Sequence, residues 1–423
     1  MRHQETPPAS PLVLILVDGV SADTFARQRA RLPHLASLTE RGLVVERLGS
    51  VTPGTSLPGR VTMLTGTPCP SHGVWGNVIW DGTRFRYANP DDVLDPTLAA
   101  RAVAAGLDVA VLGYGMIRPE DASVFHHAWW ANEMLQRARD EAPIPADEGW
   151  LRTSRHQDAS GRLAALHARG FPEAVPNAYA EGALHYFASE LAGDEAMLAW
   201  TAGLLTEARP PDLVLTEILT PDTVQHRSGY GSLFAHWAIS YADALIGSLL
   251  ERLRRAGRLG EVTLAVMSDH GHAPVTQALH PDVIVPGARH QCEGAFLHVA
   301  PENRADLERI TARLAAHGAA RLPGDHLPPE VRGTVVAFVA PDGSSFEPWR
   351  GEDGAKPRPA GPPRYLSSHG FRPGHPGDDR FAVFAGPGVP EGSLASAGPL
   401  AVAPTLAGLL GLPLTPYPAR PLF

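Results

Sequence analysis

At several places in this chain, carboxylate, imidazole or hydroxyl groups stand where an apolar run stops. Asp18 follows LVLILV and precedes Gly19, and Asp269 and His270 are adjacent near the end of the run VTLAVMSDHGHAPV. Asp222 and His226 lie four residues apart in LTPDTVQHRSG, just past DLVLTEIL, and a carboxylate and an imidazole at that spacing form a metal-ligand pairing. Thr55 and Ser56 precede Pro58, a residue suited to a helix's first turn. A hydroxyl there meets unpaired backbone N–H groups and the positive end of the helix dipole, which suits attack on an anionic phosphoryl group. YLSSHGFRPGHPG offers His369 and His375, either of which could be a ligand, while His272 reads as a loop residue. Each signal alone has an ordinary structural reading as a turn aspartate, an N-cap or a surface histidine. Their shared position at strand-to-loop junctions is what points to one metal and nucleophile cluster.

The elements that must position these groups are runs rich in β-formers: Pro11–Gly19, Asp108–Tyr114, Asp212–Leu219, Val262–Gly271, Gly333–Pro341 and Arg380–Val389. Several are apolar without alternation, as strands buried on both faces are, and helical patterns lie between them. The fold class expected is α/β, a central largely parallel sheet flanked by helices with inserted cap regions. A helix is predicted from Leu233 to Gly257, with Trp237, Tyr241, Leu245, Leu249 and Leu253 as its core stripe. Residues 119–205, which include FHHAWWANEM, lack a strand period and read as an inserted cap that selects substrate. Residues 276–362, running into GEDGAKPRPAGPPR, read as a second, irregular insertion. The core is then discontinuous, over 10–118, 206–275 and 363–423.

With a net charge of -9, the 423-residue chain has no broad basic surface for tracking nucleic acid, so an anionic substrate needs local positive charge such as metal ions. The apolar runs fall short of the roughly 20 residues a membrane span needs. The start, MRHQETPPASPLVLILVDG, reads as a first strand and not a signal peptide. Cys69 and Cys292 make no CxxC pair. A cytoplasmic setting, no membrane contact and a small-molecule substrate are expected, and the sequence does not fix an oligomeric state.

These motifs resemble the alkaline phosphatase superfamily, specifically its type I phosphodiesterase/nucleotide pyrophosphatase branch, almost end to end. LILVDGV resembles the opening strand with its metal aspartate. LPHLASLTERG resembles the helix after it, and SLPGRVTMLTGTPCPSHGVWGN the nucleophile helix with its Thr-Gly and His-Gly landmarks. PDTVQH, SDHG, SHGFRPGHPGDDRFAVFAGPGV and the closing VAPTLAGLLGLP resemble the remaining motifs. The resemblance implies two divalent ions, zinc first and manganese second. Asp222, His226 and His369 would hold one, and Asp18, Asp269, His270 and Ser56 the other. It places Ser56 as the nucleophile of a covalent phosphoseryl route and Asn77 as the phosphate-binding residue, on a phosphate ester or nucleotide. It also prefers His369 over His375.

The chain departs from the family at two neighbouring positions. Ser56 replaces the usual threonine, and Leu57 stands where nucleotide-cleaving relatives carry a stacking aromatic; Trp75, Trp80, Trp129 and Trp130 are the candidates to replace it. The alternatives within the superfamily are a phosphomonoester or phosphonate hydrolase and a sulfatase. The sulfatase signature in its serine form is similar to Ser56-Leu57-Pro58-Gly59-Arg60, and formylglycine at Ser56 would change that peptide's mass. From other classes, a serine-hydrolase elbow lacks the glycine that must follow the serine, and an inactive metal-binding module would normally have lost a ligand.

Overall fold

The run Leu12–Val17 forms strand β1, buried along its whole length. Val13, Ile15 and Val17 enter one core with Phe25, Leu35 and Ile246, while Leu12, Leu14 and Leu16 enter another with Met63, Leu98 and Leu406. A strand covered on both faces has no polar side to show, hence the unbroken apolar run. The computed structural model describes residues 10–128, 130–131, 157–172, 183–351 and 356–423.

Around β1 a nine-stranded sheet is completed by β2 (Gly42–Leu48), β3 (Val109–Leu112), β4 (Val124–His126), β5 (Gln157–Asp158), β6 (Leu213–Ile218), β7 (Thr263–Met267), β8 (Arg380–Ala385) and β9 (Gly392–Leu394). Their order is β9-β2-β8-β7-β1-β6-β3-β4-β5, and β8 and β5 run against the others. The helices that matter for the site are α1 (Ala22–Gln28), α2 (Pro33–Glu40), α3 (Ser56–Thr65), α4 (Leu98–Ala104), α5 (Ala183–Leu205), α6 (Thr220–Ser228), α7 (Leu233–Arg255) and α8 (Val402–Leu409). α1, α2, α5 and α7 cover one face; α3, α4 and α8 cover the other. This is the mainly parallel, helix-flanked sheet expected from the sequence.

Register sets the height of the site. Leu16 pairs with Glu217 on one side and with Met267 on the other, so β1, β6 and β7 end level. Their carboxyl ends deliver Asp18, the α6 segment and Asp269-His270 to one edge, where ligands of open α/β sheets collect.

The structure corrects three expectations. Residues 276–362 are not irregular: Val336–Val339 belongs to a four-stranded antiparallel sheet with Arg289–Glu293, Phe296–Ala300 and Ala320–Arg321. Phe296, Leu297, Val299, Ile310 and Phe338 are buried in a core of that segment. Its strands span two to five residues between Gly and Pro turns, too short to show a period.

The described parts of 119–205 serve the main sheet. They supply β4 and β5 at its edge and α5, which buries Leu198, Trp200, Leu204 and Leu205; Trp129 and residues 132–156 lie outside the described residues.

In α7 the core stripe is Ala235, Ala238, Ile239, Ala242, Ile246, Leu249 and Leu253, while Trp237 is 43% exposed and Tyr241 half-buried. A strict four-residue repeat drifts by about 40° per step on a helix of 3.6 residues per turn, so a row anchored on Leu253 has wound out of the core by Trp237. α7 has the length and apolar composition of a membrane span, and half of its most apolar window is buried inside the fold.

Candidate active site

Asp18 leaves β1 through Gly19, whose φ of +71° suits glycine and where a Cβ would meet Asp222 Oδ1 at 2.8 Å. Gln225 of α6 donates to the Gly19 carbonyl at 2.8 Å, which ties the two turns together. Asp222 and His226, one helical turn apart on α6, share a face, with Nε2 3.5 Å from Oδ2.

Ser56 is the first residue of α3. Gly59, one turn on, lets the helix lie against the Asp269 carbonyl, which a Cβ would approach to 2.5 Å. That close approach brings Ser56 Oγ to 3.1 Å from His270 Nε2. His369 stacks on His270 with ring centroids 3.7 Å apart, and its Nε2 lies 4.0 Å from Asp222 Oδ1.

The sequence-chosen residues therefore meet: Asp18, Ser56, Asp222, His226, Asp269, His270 and His369 surround one centre. His375 does not join them; its Nδ1 accepts the Gly377 N–H at 3.0 Å and its ring packs on Phe371. His272 also joins them, from the loop position that the sequence gives it. It is 1% exposed, and its Nε2 lies 2.7 Å from Asp222 Oδ1. The turn after Asp269-His270 folds back into the cluster instead of out to solvent, because β-strand Ala273–Pro274 pairs with Ser367–Ser368 beside His369. The signal available in the sequence was the repeat His-Gly-His.

The imidazoles share one orientation. Nδ1 of His226 donates to the Ser367 carbonyl at 2.9 Å, that of His270 to Gly271 at 3.0 Å and that of His369 to Gly54 at 3.2 Å. A carbonyl only accepts, so each Nδ1 carries the proton and each Nε2 turns a lone pair inward, the arrangement that metal-ligating histidines adopt. Ligand atoms of Asp222, His226, His272 and His369 lie within 4.8 Å of one another, and so do those of Asp18, Asp222 and His270.

The carboxylates fit a cation as well. Asp18 Oδ1 and Asp269 Oδ2 are buried without a hydrogen-bond partner. Burial, then the nearby Asp269 carboxylate, holds the Asp18 carboxyl well above the usual range. Positive charge is built in beside them. Arg60, 3% exposed and one turn past Ser56, reaches Asp18 Oδ2 at 2.7 Å, Glu217 Oε2 at 3.4 Å and Asp269 Oδ2 at 3.5 Å. Trp130 donates to Glu217 Oε1 at 2.6 Å, and burial pushes the Glu217 carboxyl up to about 7. Neither Arg60 nor Glu217 was a sequence candidate, since nothing local marks them as partners.

Asn77 accepts the Leu57 N–H through Oδ1 at 2.8 Å, which leaves its amide N–H groups as donors in the pocket beside Ser56. Glu293, on strand Arg289–Glu293, in turn accepts the Asn77 and Val78 N–H groups at 2.8 and 2.6 Å. A cavity of about 1300 Å³ opens from Ser56 and His369. Its lining includes Arg289, Trp349, Arg358, Arg364, Trp80 and Tyr87, with Tyr365 packed 5.0 Å from the His226 ring, and among the described residues 119–205 contributes nothing to it. Of the tryptophans considered as stacking platforms, Trp80 lines this cavity; Trp75 is packed edge-on to His298, and Trp130 is buried on Glu217. Leu57 is in the core, and both cysteines are free thiols.

Residues 12–358 match the family described as type I phosphodiesterase / nucleotide pyrophosphatase. The chain belongs to that family. His369 lies beyond the matched stretch.

Among curated relatives, an uncharacterised pyrophosphatase/phosphodiesterase of Schizosaccharomyces pombe is 24% identical over 273 residues, 63% of this chain and 46% of that one. The venom phosphodiesterase of Macrovipera lebetinus is 22% identical over 262 residues, 62% of this chain and 25% of that one. Rat ectonucleotide pyrophosphatase/phosphodiesterase family member 3 is 23% identical over 266 residues, again 62% and 25%. The match thus spans less than half the length of these relatives. Murine ectonucleotide pyrophosphatase/phosphodiesterase 5, solved as an inactive variant with AMP, superposes with a TM-score of 0.66 at 16% identity, covering 96% of both chains. The human protein superposes equally well, at 15% identity and 95% of both chains. The shared fold is alkaline-phosphatase-like.

Proposed function

We propose that this protein hydrolyses phosphodiester or phosphoanhydride bonds of small molecules, with Ser56 as the nucleophile and two divalent ions in the cluster. The observation that carries the reading is the set of histidines whose Nδ1 atoms are tied outward and whose Nε2 atoms converge on Asp18, Asp222 and Ser56. Asp222, His226 and His369 would hold one ion, and Asp18, Asp269, His270 and Ser56 the other; zinc suits this mixed nitrogen and oxygen set. Bound there, the ions would lower the pKa of the serine hydroxyl and offset charge on the phosphoryl oxygens.

The protein's own part follows from its placement. Ser56 starts α3, where unpaired N–H groups and the helix dipole favour an approaching phosphoryl group. Its oxygen attacks phosphorus, the bond to the leaving alcohol or nucleotide breaks, and water later cleaves the phosphoserine linkage. The Asn77 amide donates to a phosphoryl oxygen. The murine relative's complex with AMP and the aromatic and cationic groups of the cavity wall support a nucleotide-sized substrate. The 276–362 segment, which supplies much of that wall, then selects it in place of the 119–205 cap.

Glu293→Gln tests the part of this reading that runs through Asn77. Loss of one acceptor oxygen behind the Asn77 and Val78 N–H groups should let Asn77 drift and lower kcat/KM on the order of tenfold. Unaltered kinetics would detach Glu293 from Asn77's task.

The overall reading is tested with nitrophenyl esters. Bis-nitrophenyl phosphate and nitrophenyl thymidine monophosphate should turn over faster than nitrophenyl phosphate, and nitrophenyl sulfate should be inert. Preferential sulfate hydrolysis, with formylglycine found at position 56 by mass spectrometry, would instead support the sulfatase alternative.

A further inference from the structure

We propose that His272 is a metal ligand in this chain, joining Asp222, His226 and His369 to make a four-residue holder where the family resemblance supplies three. The proposal rests on the metal-dependent reading above and deepens it.

The hydrogen bonds around His272 determine the role of its Nδ1. Ser367 Oγ lies 2.6 Å from the Gln225 carbonyl, and since a carbonyl only accepts, the hydroxyl's single proton is committed there. What Ser367 Oγ turns toward His272 Nδ1, at 3.1 Å, is therefore a lone pair, and Nδ1 must donate to it. His272 thus shares with His226, His270 and His369 an Nδ1 that is anchored outward, which leaves Nε2 as the atom turned toward the cluster. That Nε2 faces Asp222 Oδ1 at 2.7 Å. An imidazole lone pair and a carboxylate oxygen at that separation repel unless a positive group is shared between them.

Two other imidazoles converge on the same spot, with His226 4.6 Å and His369 5.4 Å away between ring centroids. All four ligand atoms fit within 4.8 Å, a span one cation can hold. In the competing account His272 carries a proton on Nε2 and orients Asp222 by donating to it. The two accounts differ in whether a residue that can donate but ligates poorly can stand in for His272.

The experiment strips and reloads wild-type protein, His272→Ala and His272→Gln. Zinc affinity is read by competition with a chromophoric chelator, and cobalt(II) visible spectra are recorded on the same proteins. Circular dichroism checks the fold, which the glutamine, close to histidine in size, is expected to keep. Both variants should retain one tightly held ion while the other weakens by at least about 100-fold, beyond the usual cost of removing a residue that only hydrogen-bonds to a ligand. The cobalt bands should also change in both. His272→Gln holding two ions with wild-type affinity and an unaltered cobalt spectrum would overturn the assignment and leave His272 as an orienting donor. Wild-type protein that holds no ion would instead refute the metal-dependent reading itself.

Discussion

Turnover of the preferred phosphodiester should fall by at least about 10,000-fold in Ser56→Ala, because removal of a nucleophile costs nearly all of the acceleration its site provides. Metal content and the denaturation midpoint should stay near wild-type values. Ser56 is one of the residues assigned to the second ion, but Asp18, Asp269 and His270 remain there, and no buried carboxylate loses a partner. Initial rates of nitrophenyl diester cleavage, with metal analysis of the same sample, check both halves. Substantial residual activity would hand the attack to water. Thr55 is not placed to inherit it, since it does not line the cavity that Ser56 faces.

Arg60→Leu should produce the largest loss of stability, about 3–5 kcal/mol, as expected when one partner of a buried ion cluster is removed. Arg60 stands among Asp18, Glu217 and Asp269, and without it three carboxylates share a space that water does not reach. Arg60→Lys keeps the charge but loses the planar fork that spans several carboxylates, so it should fall between leucine and wild type. Urea denaturation of the three proteins measures the series. A leucine variant as stable as wild type would mean that Arg60 is a bystander. The same contacts bear on function, since holding Asp18 by Oδ2 leaves Oδ1 directed at His270 Nε2, 3.3 Å away.

The sheet's centre was legible because burial on both faces forces an unbroken apolar run, as in Leu12–Val17 and Thr263–Met267. The site's frame was legible for a related reason: a polar residue directly after such a run, like Asp18 or Asp269, must sit at the sheet's edge. Strand Gly42–Leu48 escaped notice because its run ends in Glu46 and Arg47 and carries no site residue. Within 276–362 the run Gly333–Pro341 was legible and holds the strand Val336–Val339, whereas its partners Arg289–Glu293 and Ala320–Arg321 escaped because they are short and polar. Trp237 was misplaced by a repeat of four where the helix turns every 3.6.

Within the site, Asp222 and His226 announce themselves by spacing, whereas Arg60, Glu217 and Glu293 act through partners far away in sequence. His272 is the intermediate case. Its position after His270 was visible, but its inward direction depends on strand pairing with Ser367–Ser368, which no local pattern encodes.

Metal analysis of protein purified without chelator tests the central claim most directly. About two divalent ions per chain are predicted, as a two-metal hydrolase requires, with activity lost on chelation and restored on reloading. Fewer than about one tightly held ion per chain, in protein that still cleaves phosphodiesters, would contradict the two-metal account.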